Sequence, residues 1–229
     1  MEDRPAIVLT VDQRGSRRAE DAVPALLERL ARLAPQPLRP FERTAGDEVQ
    51  GVLDDPAVVV DVVLALADEG RWSTGVGVGR VRRPLPASTR AGAGAAFEAA
   101  RAAVTAAKGV REGVALRGPT GPGGRPGSDD ADGAEGPPLE EAGPATAVLD
   151  AETALLLLVG LRARRSGPGR EAVALAERGL GPREAAQHLG VSPQAVSQRL
   201  RAAAWSAEER TRPLAARLLA RAARAAESA

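Results

Sequence analysis

The chain contains no cysteine and no asparagine, one histidine and one lysine, and its aromatic residues amount to 2% of the total. Without cysteine there are no disulfides, no thiolate metal sites and no cysteine nucleophile. A single histidine, His188, excludes a histidine-cluster metal site and any mechanism that needs two imidazoles. Lys108 stands alone among 31 basic residues; that bias, with abundant Ala, Gly and Pro, speaks of a GC-rich genome more than of function. With so few aromatic rings, the core has to be built from Ala, Val and Leu. Long apolar runs are also missing. The longest uncharged one, residues 154–161, falls well short of the roughly 20 residues that span a bilayer. The opening Met1-Glu2-Asp3-Arg4 lacks a signal-peptide pattern. The expectation is a soluble cytoplasmic protein with no membrane partner.

What is present suffices for a globular core: 229 residues, 44% of them hydrophobic. That length suggests one or two domains. Charge divides the chain. Residues 1–117 carry about +1, residues 118–150 carry −6, and residues 151–229 carry +6. Between positions 118 and 144, 14 of 27 residues are Gly or Pro, too little apolar surface to offset the entropy of ordering. Three parts are therefore expected: a domain over 1–117, a disordered acidic linker over 118–147, and an all-α domain over 148–229. The linker's acids could also lie against the basic third part.

The first part alternates strand and helix signals. Apolar, β-rich runs at 6–11, 38–44, 49–53, 72–81 and 114–116 read as strands, and helical spacing appears at 19–33, 57–67 and 93–108. The 72–81 run alternates Val with Gly, which lets something approach its backbone closely. The order β-α-β-β-α-β-α is that of a split βαβ, ferredoxin-like sheet, giving an α+β fold class. In such a sheet the first and third strands are antiparallel neighbours. That would bring Asp12, closing the first strand, near Asp47 in the Ala45-Gly46-Asp47-Glu48 turn. Two close carboxylates repel, and a divalent cation such as Mg²⁺ relieves the repulsion. The alternative is that both simply cap backbone N–H groups in turns.

The third part reads as helices over 150–163, 169–178, 182–189, 193–204 and 206–225. Ser206-Ala-Glu-Glu209 looks like a capping box for the last, and Pro213 is expected to kink it or move its start. Within this part, residues 182–204 carry the pattern of a helix-turn-helix. Ala185 and Ala186 are small enough for a second helix to cross closely. Leu189, Val191, Val196 and Leu200 supply the contact. Gly190 suits a turn with positive φ, and Ser192 with Pro193 starts the next helix. Gln194, Ser197, Gln198 and Arg201 share a separate polar stripe that would face the major groove. Gln and Arg are the side chains that read adenine and guanine edges bidentately. Arg183, Arg199 and the Arg162–Arg165 cluster are candidate phosphate contacts, Ser192 is counted among the DNA-binding residues, and His188 is a surface residue. The bland alternative is an ordinary or protein-binding helical hairpin. Double-stranded DNA is the expected partner, with a homodimer to engage paired half-sites.

The 182–204 segment resembles the helix-turn-helix of bacterial sigma-factor-like and response-regulator-like DNA-binding proteins. Together with Val8-Leu9-Thr10-Val11-Asp12, Gly15-Ser16-Arg17, Thr44 to Gly51, Gly75 to Gly79 and Ala99-Ala100-Arg101, it resembles the bacterial SatD family over nearly the whole chain outside the linker. More distantly these landmarks resemble the palm-like domain of class III nucleotide cyclases. That resemblance implies metal binding by Asp12 and Asp47, a phosphate or transition-state contact from Arg101, and a small nucleotide ligand. The cyclase pattern wants an asparagine where this chain has Phe97, and it wants a lysine before the Gly-Asp turn. The implied protein is a DNA-binding regulator whose cyclase-like domain senses or dimerises. The alternatives are a metal-dependent nucleotide-binding or phosphoryl-transfer enzyme using Asp12 and Asp47, and a non-catalytic scaffold.

Overall fold

The computed structural model describes residues 5–16, 20–119 and 143–228. It is a mixed α+β structure. Strands β1 (Ile7–Gln13), β2 (Arg39–Ala45), β3 (Glu48–Leu53), β4 (Trp72–Val78) and β5 (Val114–Arg117) form one sheet in the order β2-β3-β1-β4-β5. β1 is antiparallel to both β3 and β4, and β5 is parallel to β4. Among the described residues there are eight α-helices: α1 (Val23–Leu33), α2 (Pro56–Glu69), α3 (Ala95–Lys108), α4 (Pro144–Ala163), α5 (Gly167–Glu177), α6 (Pro182–Leu189), α7 (Pro193–Ala202) and α8 (Trp205–Ser228).

Local chemistry sets the boundaries. Asp55 caps α2 by accepting from the Ala57 N–H at 2.8 Å, Pro56 opens the helix, and Gly70 at φ 67° ends it; each choice suits its position. α1 begins at Val23, later than its apolar spacing suggests, because Asp21 accepts from the Val23 N–H and Gln13 from the Ala22 N–H. β4 stops at Val78 rather than 81, where Gly79 turns out of strand geometry.

The sheet is covered on both faces. Ile7, Leu9, Val11, Val49, Leu53, Val76, Val78, Val114 and Leu116 face a core shared with α1, α2, α4 and α8. Val8 and Val52 face Phe97, Ala96 and Ala100 of α3. The Val–Gly alternation of β4 now has its cause. A Cβ at Gly75 would collide with the backbone of α3 at Val104 and Ala100, and one at Gly77 with Ala96 and Ala100. What approaches the β4 backbone is the protein's own helix.

The expected linker spans 118–147 and the expected all-α part 148–229. α4 starts at Pro144, so the last four residues of the expected linker are helical; Pro is at home in a first helical turn, and Ala147 is already buried. Residues 120–142 lie outside the described residues. α4 and α8 belong to the sheet's core, while α5, α6 and α7 close a small core of their own around Leu175, Ala185, Ala186 and Val196. α8 is continuous through Pro213, which has no N–H to donate to the carbonyl of Glu209. By length and composition α4, at mean hydropathy 1.6, is the one described helix long and apolar enough to cross a membrane. Its Ala151, Leu155 and Leu158 are committed to the protein core.

Candidate nucleic-acid interface and the sheet carboxylates

α6 and α7 are joined through Gly190, which adopts φ 64°, the left-handed turn that glycine takes without strain. The Glu184 carboxylate reaches back to the Gly181 N–H at 3.0 Å, and the Ser192 hydroxyl accepts from the Ala195 N–H at 3.1 Å. α7 buries Val196 against α6 and leaves Leu200 and Leu189 partly covered. The opposite stripe faces outward. Gln194, Gln198 and Arg201 are exposed and, among the described residues, no protein group bonds their side chains. Arg183 at the start of α6 is exposed in the same way. The two serines differ. Ser192 uses its hydroxyl as a cap, and Ser197, half-buried, donates its own to the Pro193 carbonyl at 3.0 Å. His188 is exposed.

One set of phosphate candidates needs correcting. Arg162 and Arg165 are not on the surface; their side chains are 10% and 3% exposed. Both grip Glu208, which is 0% exposed. Arg162 Nη1 donates to Glu208 Oε1 at 2.6 Å and Nε to Asp68 at 3.0 Å. Arg165 pairs with the other Glu208 oxygen and donates Nε to the Ala203 carbonyl at 3.0 Å. Arg212 adds a bond to Glu208 at 2.8 Å and one to Glu177 at 2.8 Å. This hub ties α2, α4, α5, α8 and the end of α7 together. Burial lowers the Arg162 pKa, but the Asp68, Glu208 and Glu177 carboxylates outweigh it and hold the pKa above its ordinary value, so the guanidinium stays charged. Nearby, burial pushes the Asp61 carboxyl up, and the Arg212 guanidinium offsets only part of that. The hub escapes sequence reading because Glu208 stands inside the expected Ser206–Glu209 capping box, which does not form: α8 already starts at Trp205. Its signal is the spacing of Arg162 in α4 and Arg165 just past its end, with Glu208 and Arg212 on α8. Arg199 is half-buried, 3.8 Å from Glu171. Of the Arg162–Arg165 cluster only Arg164 is exposed, and among the described residues no protein group bonds its side chain.

On the sheet, the register sets Glu48 opposite Asp12, with Ser73 on the other side. Asp47 lies one residue away, half-buried in the β2–β3 turn. Asp12 is largely covered, and its Oδ2 accepts from Lys108 Nζ at 2.7 Å. Glu48 accepts from the Thr44 hydroxyl at 2.6 Å. The negative charge of Asp12 is thus already matched, and no group of three or more His, Cys, Asp or Glu among the described residues could hold a metal ion. Arg14 donates to the Ala107 and Val110 carbonyls at 3.3 and 2.9 Å and to Ser73, capping the carbonyl end of α3, where a cation is favoured. Arg101 is exposed on α3, seven residues before Lys108 and so on the same flank. Phe97, at the position where the cyclase pattern has asparagine, is 1% exposed and fills the space between α3 and the sheet.

Two carboxylates in this half titrate low. The Ser88 hydroxyl, with N–H and hydroxyl donors of Arg90 and Thr89, holds Glu42 below the ordinary glutamate range against mild desolvation. Arg43, followed by the Val23 N–H, does the same for Asp21. Both interactions fasten loops to the edge of the sheet.

Compared with protein-family models, with curated proteins and with solved structures, the chain matches none.

Proposed function

We propose that this chain is a cytoplasmic DNA-binding regulator of SatD type that reads double-stranded DNA with α7 of a helix-turn-helix. The observation that carries the reading is the stripe of Gln194, Gln198 and Arg201. It is exposed and unpaired among the described residues, on a helix whose other side is locked onto α6. Long polar side chains left without protein partners on a rigid element are pre-organised for an external one. Gln presents the paired donor and acceptor that match adenine, and Arg the fork that matches guanine. Arg183 supplies a phosphate contact, which positions the helix without reading sequence. Ser192 acts through its cap.

The strand order β2-β3-β1-β4, with β1 antiparallel to both neighbours, supports a ferredoxin-like reading of the first half, to which β5 is added. In this reading that half is the sensory or dimerising part. Arg101 remains its candidate contact for a nucleotide phosphate. Mg²⁺ chemistry at Asp12 and Asp47 draws no support from the Lys108 pairing, so the regulator is preferred over the enzyme.

The test is capture of sheared host genomic DNA by the purified chain at near-physiological salt, with sequencing of the bound fragments. A few enriched sites are expected, lost with Arg201→Ala. Gln198→Ala is expected to cost about 1–3 kcal/mol and relax preference at one base pair, and Arg183→Ala to weaken all sequences alike. Uniform recovery, identical for wild type and Arg201→Ala, refutes the assignment of α7.

A further inference from the structure

The surface holds few large apolar side chains, and they gather. Among the described residues the exposed ones are Val110, Leu149, Leu157 and Leu214. All but Val110 lie on α4 or α8. These helices run antiparallel, with Arg162 meeting Glu208 at 2.6 Å near one end and Arg221 reaching within 3.7 Å of Asp150 toward the other. Leu157 is seven residues beyond Asp150, and Leu214 seven residues before Arg221. Seven residues is two helical turns, so each leucine shares a face with its charged neighbour. Leu157 and Leu214 therefore stand at the same level on the α4–α8 seam, yet they are 65% and 43% exposed. Leu149, 46% exposed, continues the patch.

The exposed positions of α4 are Ala145, Leu149, Thr153, Leu157 and Ala163, none of them charged. Thr153 spends its hydroxyl on the Leu149 carbonyl at 2.8 Å. A Cβ at Gly160 would meet nothing within 4 Å. The two acids of the helix are turned aside, Glu152 to Arg117 at 2.7 Å and Asp150 toward Arg221.

We infer that this seam is a twofold interface with a second copy of the chain, an inference that rests on the DNA-binding reading. The pattern is self-complementary. An antiparallel twofold passing Thr153 sets Leu149 against Leu157 of the other copy and Gly160 against Thr146, small against small. That is the isologous arrangement a closed dimer requires. Arg165, which holds the end of α7 through Ala203, lies twelve residues beyond Thr153. At 1.5 Å per residue the two α7 anchors are then about 36 Å apart along the seam. Helix-turn-helix dimers place their reading helices roughly 34–36 Å apart, one turn of DNA.

The experiment is the solution mass of the full chain by light scattering and sedimentation, without DNA. Twice the 23.5 kDa of one chain is expected. Leu157→Glu and Leu214→Glu, both solvent-facing in the single copy, are each expected to weaken the dimer by about a hundredfold or more, since each substitution acts twice across the twofold. Their circular dichroism should not change. Val110→Glu should stay dimeric. The absence of native cysteine gives a second test that does not depend on the charged variants folding. Thr153→Cys on the axis should oxidise to a covalent dimer, and Val110→Cys should not. A monomeric wild type, or a dimer that survives both leucine variants, overturns the seam. Specific DNA capture by a chain that stays monomeric sinks the seam and leaves the DNA reading standing; a seam-dependent dimer that captures no DNA does the reverse.

Discussion

Glu208→Gln tests the buried hub with little change of shape. The substitution keeps the side-chain length and one acceptor but removes the charge and aims an amide N–H₂ at a guanidinium. Glu208 is 0% exposed, and Arg162 and Arg165 are 10% and 3% exposed, so water cannot compensate. Arg162 retains Asp68 and Glu177, and Arg212 retains Glu177. Arg165 retains only the Ala203 carbonyl. Its charge is the one left buried and unmatched. Breaking a buried pair by removing one partner typically costs about 3–5 kcal/mol. For a chain of this size, about 2–4 °C per kcal/mol, the expected fall in Tm is roughly 6–20 °C. The assay is thermal and urea unfolding followed by circular dichroism. Replacing the pair together, Glu208→Leu with Arg165→Met, should recover more than half of the loss, because the uncompensated charge goes with its partner. Hydrogen exchange should locate the weakening in α5–α7, which the hub fastens to the sheet body, rather than in β1 or β4. A loss below about 1 kcal/mol, the worth of a surface ion pair, would refute the reasoning.

Three further outcomes follow from the sheet. Gly77→Val forces a side chain into the α3 backbone at Ala96 and Ala100 and should cost about 3 kcal/mol or more, above the usual range for overpacking because backbone yields less than side chains; urea unfolding measures it. Phe97→Asn, which restores the residue of the cyclase pattern, should lose about 3–5 kcal/mol through the cavity and the buried amide, with no gain of nucleotide turnover. Because the folded pKa of Glu42 is lowered, its contribution is complete above the unfolded value of about 4.3 and fades as pH falls through the folded pKa. The stability difference between wild type and Glu42→Gln should therefore be constant near neutrality and shrink below about pH 4.

Legibility in the sequence tracks how local each determinant is. The turn at Gly190, the Ser192 cap and the Pro193 helix start are decided by neighbours in the chain, and all stand where the residues place them. The alternation of Val and Gly in β4 shows that something comes close, but only the fold identifies α3. At the carboxylates the margin is a single residue: the pairing sets Glu48 rather than Asp47 opposite Asp12, and neighbouring residues point to opposite faces of a strand. The hub lies furthest from local reading. Nothing in its own segment marks Glu208, and its decisive partners, Arg162 and Arg165, arrive from 46 and 43 residues away.

The commitment of α8 to the sheet core has a consequence for how the chain is made. Leu219, Ala222, Ala223 and Ala226 complete a face whose strands begin at Ile7, and near the end of the helix the Glu227 carbonyl accepts from Arg80 Nε at 2.7 Å. A nascent chain leaving the ribosome has all five strands early but lacks their lid until α8 emerges. Throughout that interval the Val and Leu of α2 and β4 are uncovered, a natural client surface for a trigger-type chaperone. The core of the sheet should then become native in one late step that waits for α8.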